Sequence, residues 1–111
     1  MITIWHNPRC SKSRQTLALL EGRDVTVRLY LEDAPSVEEL RAAQAALGLP
    51  VIQMVRSKEA EFKELGLSKD SPEDALLAAM ASHPRLIERP VVFANGKAAL
   101  GRPPEAVLEI L

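Results

Sequence analysis

Pro90-Val91-Val92-Phe93-Ala94-Asn95-Gly96-Lys97-Ala98-Ala99-Leu100 reads as two short apolar runs joined by a tight-turn dipeptide. Asn-Gly is the strongest short hairpin signal, because both residues tolerate the positive φ that a two-residue turn demands. The stretch predicts a strand over 90–94 and its antiparallel partner over 97–100. Just beyond it, Pro103-Pro104 opens a last short helix that offers Val107, Leu108, Ile110 and Leu111 to a core. The C-terminal part is therefore strand, strand, helix.

The opening has a different order. Met1 to Trp5 is β-prone and ends at the turn signal Asn7-Pro8. Ser11 to Glu21 follows a helical pattern, with Ser13, Leu17 and Leu20 on one side, and Gly22 stops it. Val25 to Leu31 alternates as a second strand. Strand, helix, strand in this span suits a parallel crossover. Between the two ends the chain is helical. Ser36 and Glu39 form a capping box for a helix that Gly48-Leu49-Pro50 ends. Val51 to Val55 and Glu59 to Leu65 are shorter helical stretches. Ser71-Pro72 reads as an N-cap with proline at the first helical position, opening a helix that His83-Pro84 closes. The resulting class is α/β, with the connectivity of a thioredoxin-like fold carrying a helical insertion between its βαβ and ββα halves.

A length of 111 residues predicts a single domain over 1–111. Apolar residues make up 47% and charged residues 26%, so the chain can bury a core and is not disordered. With 14 Lys+Arg against 15 Asp+Glu, the net charge of −1 argues against a dedicated binder of nucleic acid or membrane surfaces. The N-terminal stretch turns polar too early for a signal peptide, and no apolar run approaches the ~20 residues of a membrane span. The expected location is the cytoplasm. One cysteine excludes an internal disulfide framework and a Cys-rich zinc site.

Cys10 falls in the loop before the first helix, where free amides and the helix dipole favour a thiolate. Arg9, Lys12 and Arg14 lie close in sequence, and His6 stands across the loop. Opposite charge lowers a thiol's pKa, and the same cations and amides would hold an oxyanion. Most free cysteines are merely small buried hydrophobes; this position and charge favour a nucleophile. Spacing removes two mechanisms. Ser13 occupies the place of a dithiol enzyme's second cysteine, so an external thiol must complete any redox cycle. Thr16 stands six positions after Cys10, where a phosphatase loop would have arginine.

Arg56, Arg89 and Arg102 mark element junctions, and the thioredoxin-like topology brings the loop holding Arg89 beside the first helix's N-terminus. A guanidinium suits a tetrahedral oxyanion because its fork donates two hydrogen bonds at once. Taken singly, each arginine reads as a solvated charge, and pattern alone does not select these three. His6 is placed to tune or hydrogen-bond the thiolate, whereas His83 reads as a helix-end residue favouring the dipole. Two histidines and one cysteine complete no metal-ligand set.

The chain resembles the ArsC family of glutaredoxin-coupled arsenate reductases, in its shorter branch. The resemblance runs essentially from end to end. It is carried by His6-Asn7-Pro8-Arg9-Cys10-Ser11-Lys12-Ser13-Arg14, Leu29-Tyr30-Leu31-Glu32 and the stretch from Phe62 to Leu67. Glu88-Arg89-Pro90-Val91-Val92, Asn95-Gly96-Lys97 and Gly101-Arg102-Pro103-Pro104-Glu105 complete it. It implies that Cys10 attacks arsenate to form a covalent thiol–arsenic intermediate and that His6 helps lower its pKa. It also implies that Arg56, Arg89 and Arg102 bind the oxyanion, with Ser13, Arg14 and Pro90 supporting, Pro90 matching a proline that is usually cis. No bound cofactor is implied; glutathione serves as co-substrate, and glutaredoxin clears the mixed disulfide. Two alternatives stay open. One is a glutathione-linked thiol oxidoreductase with another substrate. The other is a regulator of the Spx type that binds RNA polymerase, although its usual dithiol switch needs cysteine where Ser13 stands.

Overall fold

The computed structural model describes all residues, 1–111. They divide into two compact units: residues 1–33 with 89–111, and residues 34–88.

The first unit holds the sheet. Strands β1 (Ile2–Trp5), β2 (Val25–Arg28), β3 (Val91–Ala94) and β4 (Lys97–Leu100) lie in the order β2-β1-β3-β4. β1 pairs parallel with β2 and antiparallel with β3, and β3 pairs antiparallel with β4. Alternation along β1 and β3 sends Ile4 and Val92, which are directly opposed, to the face that packs on helix α1 (Ser11–Leu19). There they join Leu20 and Val107 in a buried cluster, with Ile2, Leu17, Val25 and Ala99 around it. Trp5 and Phe93 point to the opposite face, their rings 4.9 Å apart, and the Arg28 guanidinium lies 5.8 Å from the Trp5 ring centre. The Asn95-Gly96 turn takes the expected form, with φ of 54° and 74° at the two residues.

The second unit is helical: α2 (Val37–Leu47), α3 (Ala60–Glu64) and α4 (Glu73–Ser82), with 3₁₀ turns at Val51–Met54 and Pro84–Leu86. The capping box at Ser36 and Glu39 forms in both directions, and Gly48 ends α2 in the left-handed region. Leu40, Ala43, Leu76, Leu77 and Met80 are buried along α2 and α4.

The elements differ from the sequence reading in five places. β2 stops at Arg28 rather than Leu31, because the amides of Glu32 and Asp33 turn back to the Leu29 carbonyl and Arg28 Nε reaches the Asp33 carbonyl at 3.0 Å. α1 stops at Leu19, its last turn tightening before Gly22 at φ 84°. Pro72, not Ser71, is the N-cap of α4, since the Ser71 hydroxyl instead accepts from the Ser68 amide at 2.9 Å. The terminal segment Pro104–Ile110 and the Val51–Met54 turn are 3₁₀. No helix is long and apolar enough to cross a membrane.

Candidate active site

β1 delivers the chain into the loop His6–Arg9, and Cys10 ends that loop as the extended residue ahead of α1, with φ −96° and ψ 123°. Its side chain caps nothing, so the free amides of the first helical turn are available to its sulfur. The main-chain N–H groups of Ser13 and Lys12, in that first turn, favour the charged form of Cys10, and the guanidiniums of Arg89 and Arg102 add positive field. Arg102 Nη2 stands 3.9 Å from Sγ. Cys10 is 9% exposed. That burial pushes the thiol up and is the largest single influence, but the two amides and two guanidiniums together exceed it, so the net shift is downward.

The cations adjacent to Cys10 in sequence do not supply this field. Arg9, Lys12 and Arg14 are exposed, and Arg14 Nη1 donates to the Pro8 carbonyl at 2.9 Å. The charges come from the other end of the chain. Arg89 directly precedes Pro90, across a cis peptide bond, at the entry to β3, and Arg102 follows β4. Arg102 Nε donates to the Arg89 carbonyl at 3.0 Å, tying the two together.

Gly101 sets that approach. Its amide donates to the Pro90 carbonyl at 3.0 Å. A Cβ there would meet Pro90 Cγ at 2.6 Å and collide with Thr16 Oγ1. Thr16 is fully buried, its hydroxyl donating to the Lys12 carbonyl at 2.8 Å. The sequence reading missed Gly101 and Thr16 as site-building residues; the available signal was a glycine directly before Arg102 with no turn to require it.

His6 is buried, and its Nδ1 lies 2.7 Å from Ser13 Oγ. Ser13 has no exposed surface, and its Oγ also accepts the Asn7 amide at 3.0 Å. Desolvation first, and the Arg14 charge second, hold His6 below the usual imidazole pKa. Arg56 lies in the helical unit, 2.8 Å from a Glu59 carboxylate oxygen and 3.4 Å from the Arg85 carbonyl. Cys10, Arg89, Arg102, His6, Ser13, Arg14 and Pro90 all belong to the sheet unit. No three His, Cys, Asp or Glu side chains gather as a metal-ligand group.

A cysteine at a helix N-terminus beside two guanidiniums, on a thioredoxin-like sheet, is an arrangement that can stabilise a thiolate and attract an anion. The model of the ArsC family matches residues 5–110, and the chain belongs to that family. It is 49% identical to the arsenate reductase of Neisseria meningitidis serogroup A, over 99% of this chain and 97% of that protein. It is 50% identical to the uncharacterized protein YfgD of Escherichia coli K12, over 99% of this chain and 96% of that one. The solved arsenate reductase from Vibrio cholerae superposes with a TM-score of 0.95 at 58% identity, covering 99% of this chain and 97% of that one.

Proposed function

We propose that this chain is an oxidoreductase that reduces arsenate to arsenite, with Cys10 as nucleophile and glutathione and glutaredoxin as external reductants. The observation that carries the reading is the placement of Arg102 Nη2 3.9 Å from Cys10 Sγ at the α1 N-terminus. A guanidinium there both favours the thiolate and offers paired donors to a tetrahedral anion brought against it. Arsenate reductases at close to half identity over nearly full length support the choice of substrate.

In the proposed cycle, Cys10 Sγ attacks arsenic(V), an S–As bond forms, and an arsenate oxygen leaves as water after protonation. Arg89 and Arg102 hold the remaining oxyanion. The glutathione thiolate then attacks Sγ. The S–As bond breaks with its electron pair passing to arsenic, which departs as arsenite at oxidation state III. Cys10 is left as a mixed disulfide with glutathione, and a glutaredoxin thiol removes the glutathionyl group to restore Cys10. Two thiols are oxidised and arsenic gains two electrons. Because the chain has one cysteine, the second thiol comes from outside. His6, Ser13, Arg14 and Pro90 shape the loop and the approach to Sγ, and Arg56 is assigned to the oxyanion on the family match alone.

The test is arsenite formation by purified protein supplied with arsenate, glutathione and glutaredoxin. The wild type turns over and Cys10→Ser does not. Equal rates for the two proteins, or no turnover by the wild type, would refute the assignment.

A further inference from the structure

The Ser13 hydroxyl is fully buried and has one proton to place. Its oxygen already accepts the Asn7 amide at 3.0 Å, and the acceptor in reach of its proton is His6 Nδ1 at 2.7 Å. A buried hydroxyl proton left without an acceptor is costly. If His6 carried a proton on Nδ1, Ser13 Oγ would receive two donors and its own proton would lose that acceptor.

We infer that Ser13 locks His6 as the neutral imidazole with its proton on Nε2, so that His6 serves Cys10 as a positioning residue and not as a cation. The lock joins three points. His6 ends the segment leaving β1, its amide donating to the Arg28 carbonyl at 2.9 Å. Asn7 is the next residue of the loop. Ser13 sits in the first turn of α1, and its own main-chain N–H is among the groups that favour the Cys10 thiolate. The hydroxyl of Ser13 thus fixes the loop while its amide stabilises the thiolate. One residue does both.

The surroundings favour the neutral form. Two hollows border His6, one of about 630 Å³ and one of about 240 Å³. The charged groups lining the first are Arg14, Glu21 and Arg23, and those lining the second are Arg9 and Glu32. On β2, the Arg28 guanidinium is engaged by Asp33 and the Trp5 ring. Arginines outnumber carboxylates around the ring, and Arg14 opposes its protonation. Acidification breaks the lock by placing a proton on Nδ1.

The inference takes Cys10 as the nucleophile of the proposed function, but its first readout needs no turnover. Nitrogen-15 NMR of the uniformly labelled full chain reports the His6 tautomer directly. The expected result at neutral pH is a bare Nδ1 and a protonated Nε2, with His6 titrating below its ordinary ~6.5. Ser13→Ala removes the hydroxyl; the tautomer preference is lost and His6 titrates closer to that value. The second readout is Cys10 alkylation by iodoacetamide against pH, whose midpoint rises in Ser13→Ala by roughly half to one unit. A protonated Nδ1 in the wild type, or His6 charged at neutral pH, overturns the inference even if Ser13→Ala fails to fold. An unchanged alkylation midpoint in a folded Ser13→Ala does so as well. Loss of arsenate turnover alone bears on the proposed function and leaves the tautomer result standing.

Discussion

Shielding from water opposes ionisation of Cys10, while amides and guanidiniums aimed at the same sulfur favour it. The balance is downward because the Ser13 and Lys12 amides and the Arg89 and Arg102 charges together outweigh the burial. A thiol whose pKa is lowered keeps its thiolate further into acid, so alkylation of Cys10 should persist below the pH at which a free cysteine slows. Arg102 is the side chain whose removal tests the charge contribution. Arg102→Ala should raise the midpoint of Cys10 alkylation and lower kcat/KM for arsenate by roughly 10²-fold, the usual cost of losing one oxyanion donor. Arg102→Lys restores the charge without the fork, so it should recover the midpoint better than the turnover. Parallel measurement of alkylation and arsenite formation separates the two.

Among the elements, the junction of β4 with the segment after it determines where Arg102 is aimed. Gly101 lies against Pro90 and Thr16 with no room for a methyl group. Gly101→Ala should destabilise the fold by roughly 1–3 kcal/mol, the range of an overpacked interior site. It should also slow Cys10 alkylation at neutral pH, because Arg102 moves with its neighbour. Chemical denaturation and alkylation kinetics on the same preparation check both effects. Local signals made several elements legible in the sequence. The capping box needs only Ser36 and Glu39, and the hairpin needs only Asn95 and Gly96, so each is readable within a few residues. Features decided by a partner elsewhere were misplaced. β2 ends early because Arg28 is drawn to Asp33, and α4 begins one residue late because the Ser71 hydroxyl serves Ser68. The site divides in the same way. Cys10 was readable from its position before a helix, and Arg89 from topology. The Ser13 contact with His6 was not, because it depends on the register of a helix turn against a strand end.

At the scale of the whole molecule, one cysteine in 111 residues leaves no route to an internal disulfide. Oxidation in the presence of glutathione should therefore add a single glutathionyl group per chain, at Cys10, and Cys10→Ser should add none. Intact mass spectrometry followed by peptide mapping reads both. Glutaredoxin should reverse the adduct, whereas a protein that resists deglutathionylation would contradict the proposed cycle. Of the 14 Lys+Arg, Arg89 and Arg102 supply the charge at Cys10, while Arg28, Arg41, Arg56 and Arg85 pair with carboxylates elsewhere.

The sheet unit is drawn from both ends of the chain, with the helical segment 34–88 threaded between them. On the ribosome, Cys10 emerges long before Arg89 and Arg102 have been synthesised. During that interval it lacks the guanidiniums that favour its thiolate. The β1 pairing with β3 that brings those arginines to it is itself long-range, and so forms late. The nascent chain in this way lacks the charge that lowers the Cys10 pKa, which arrives only when the fold closes around the thiol.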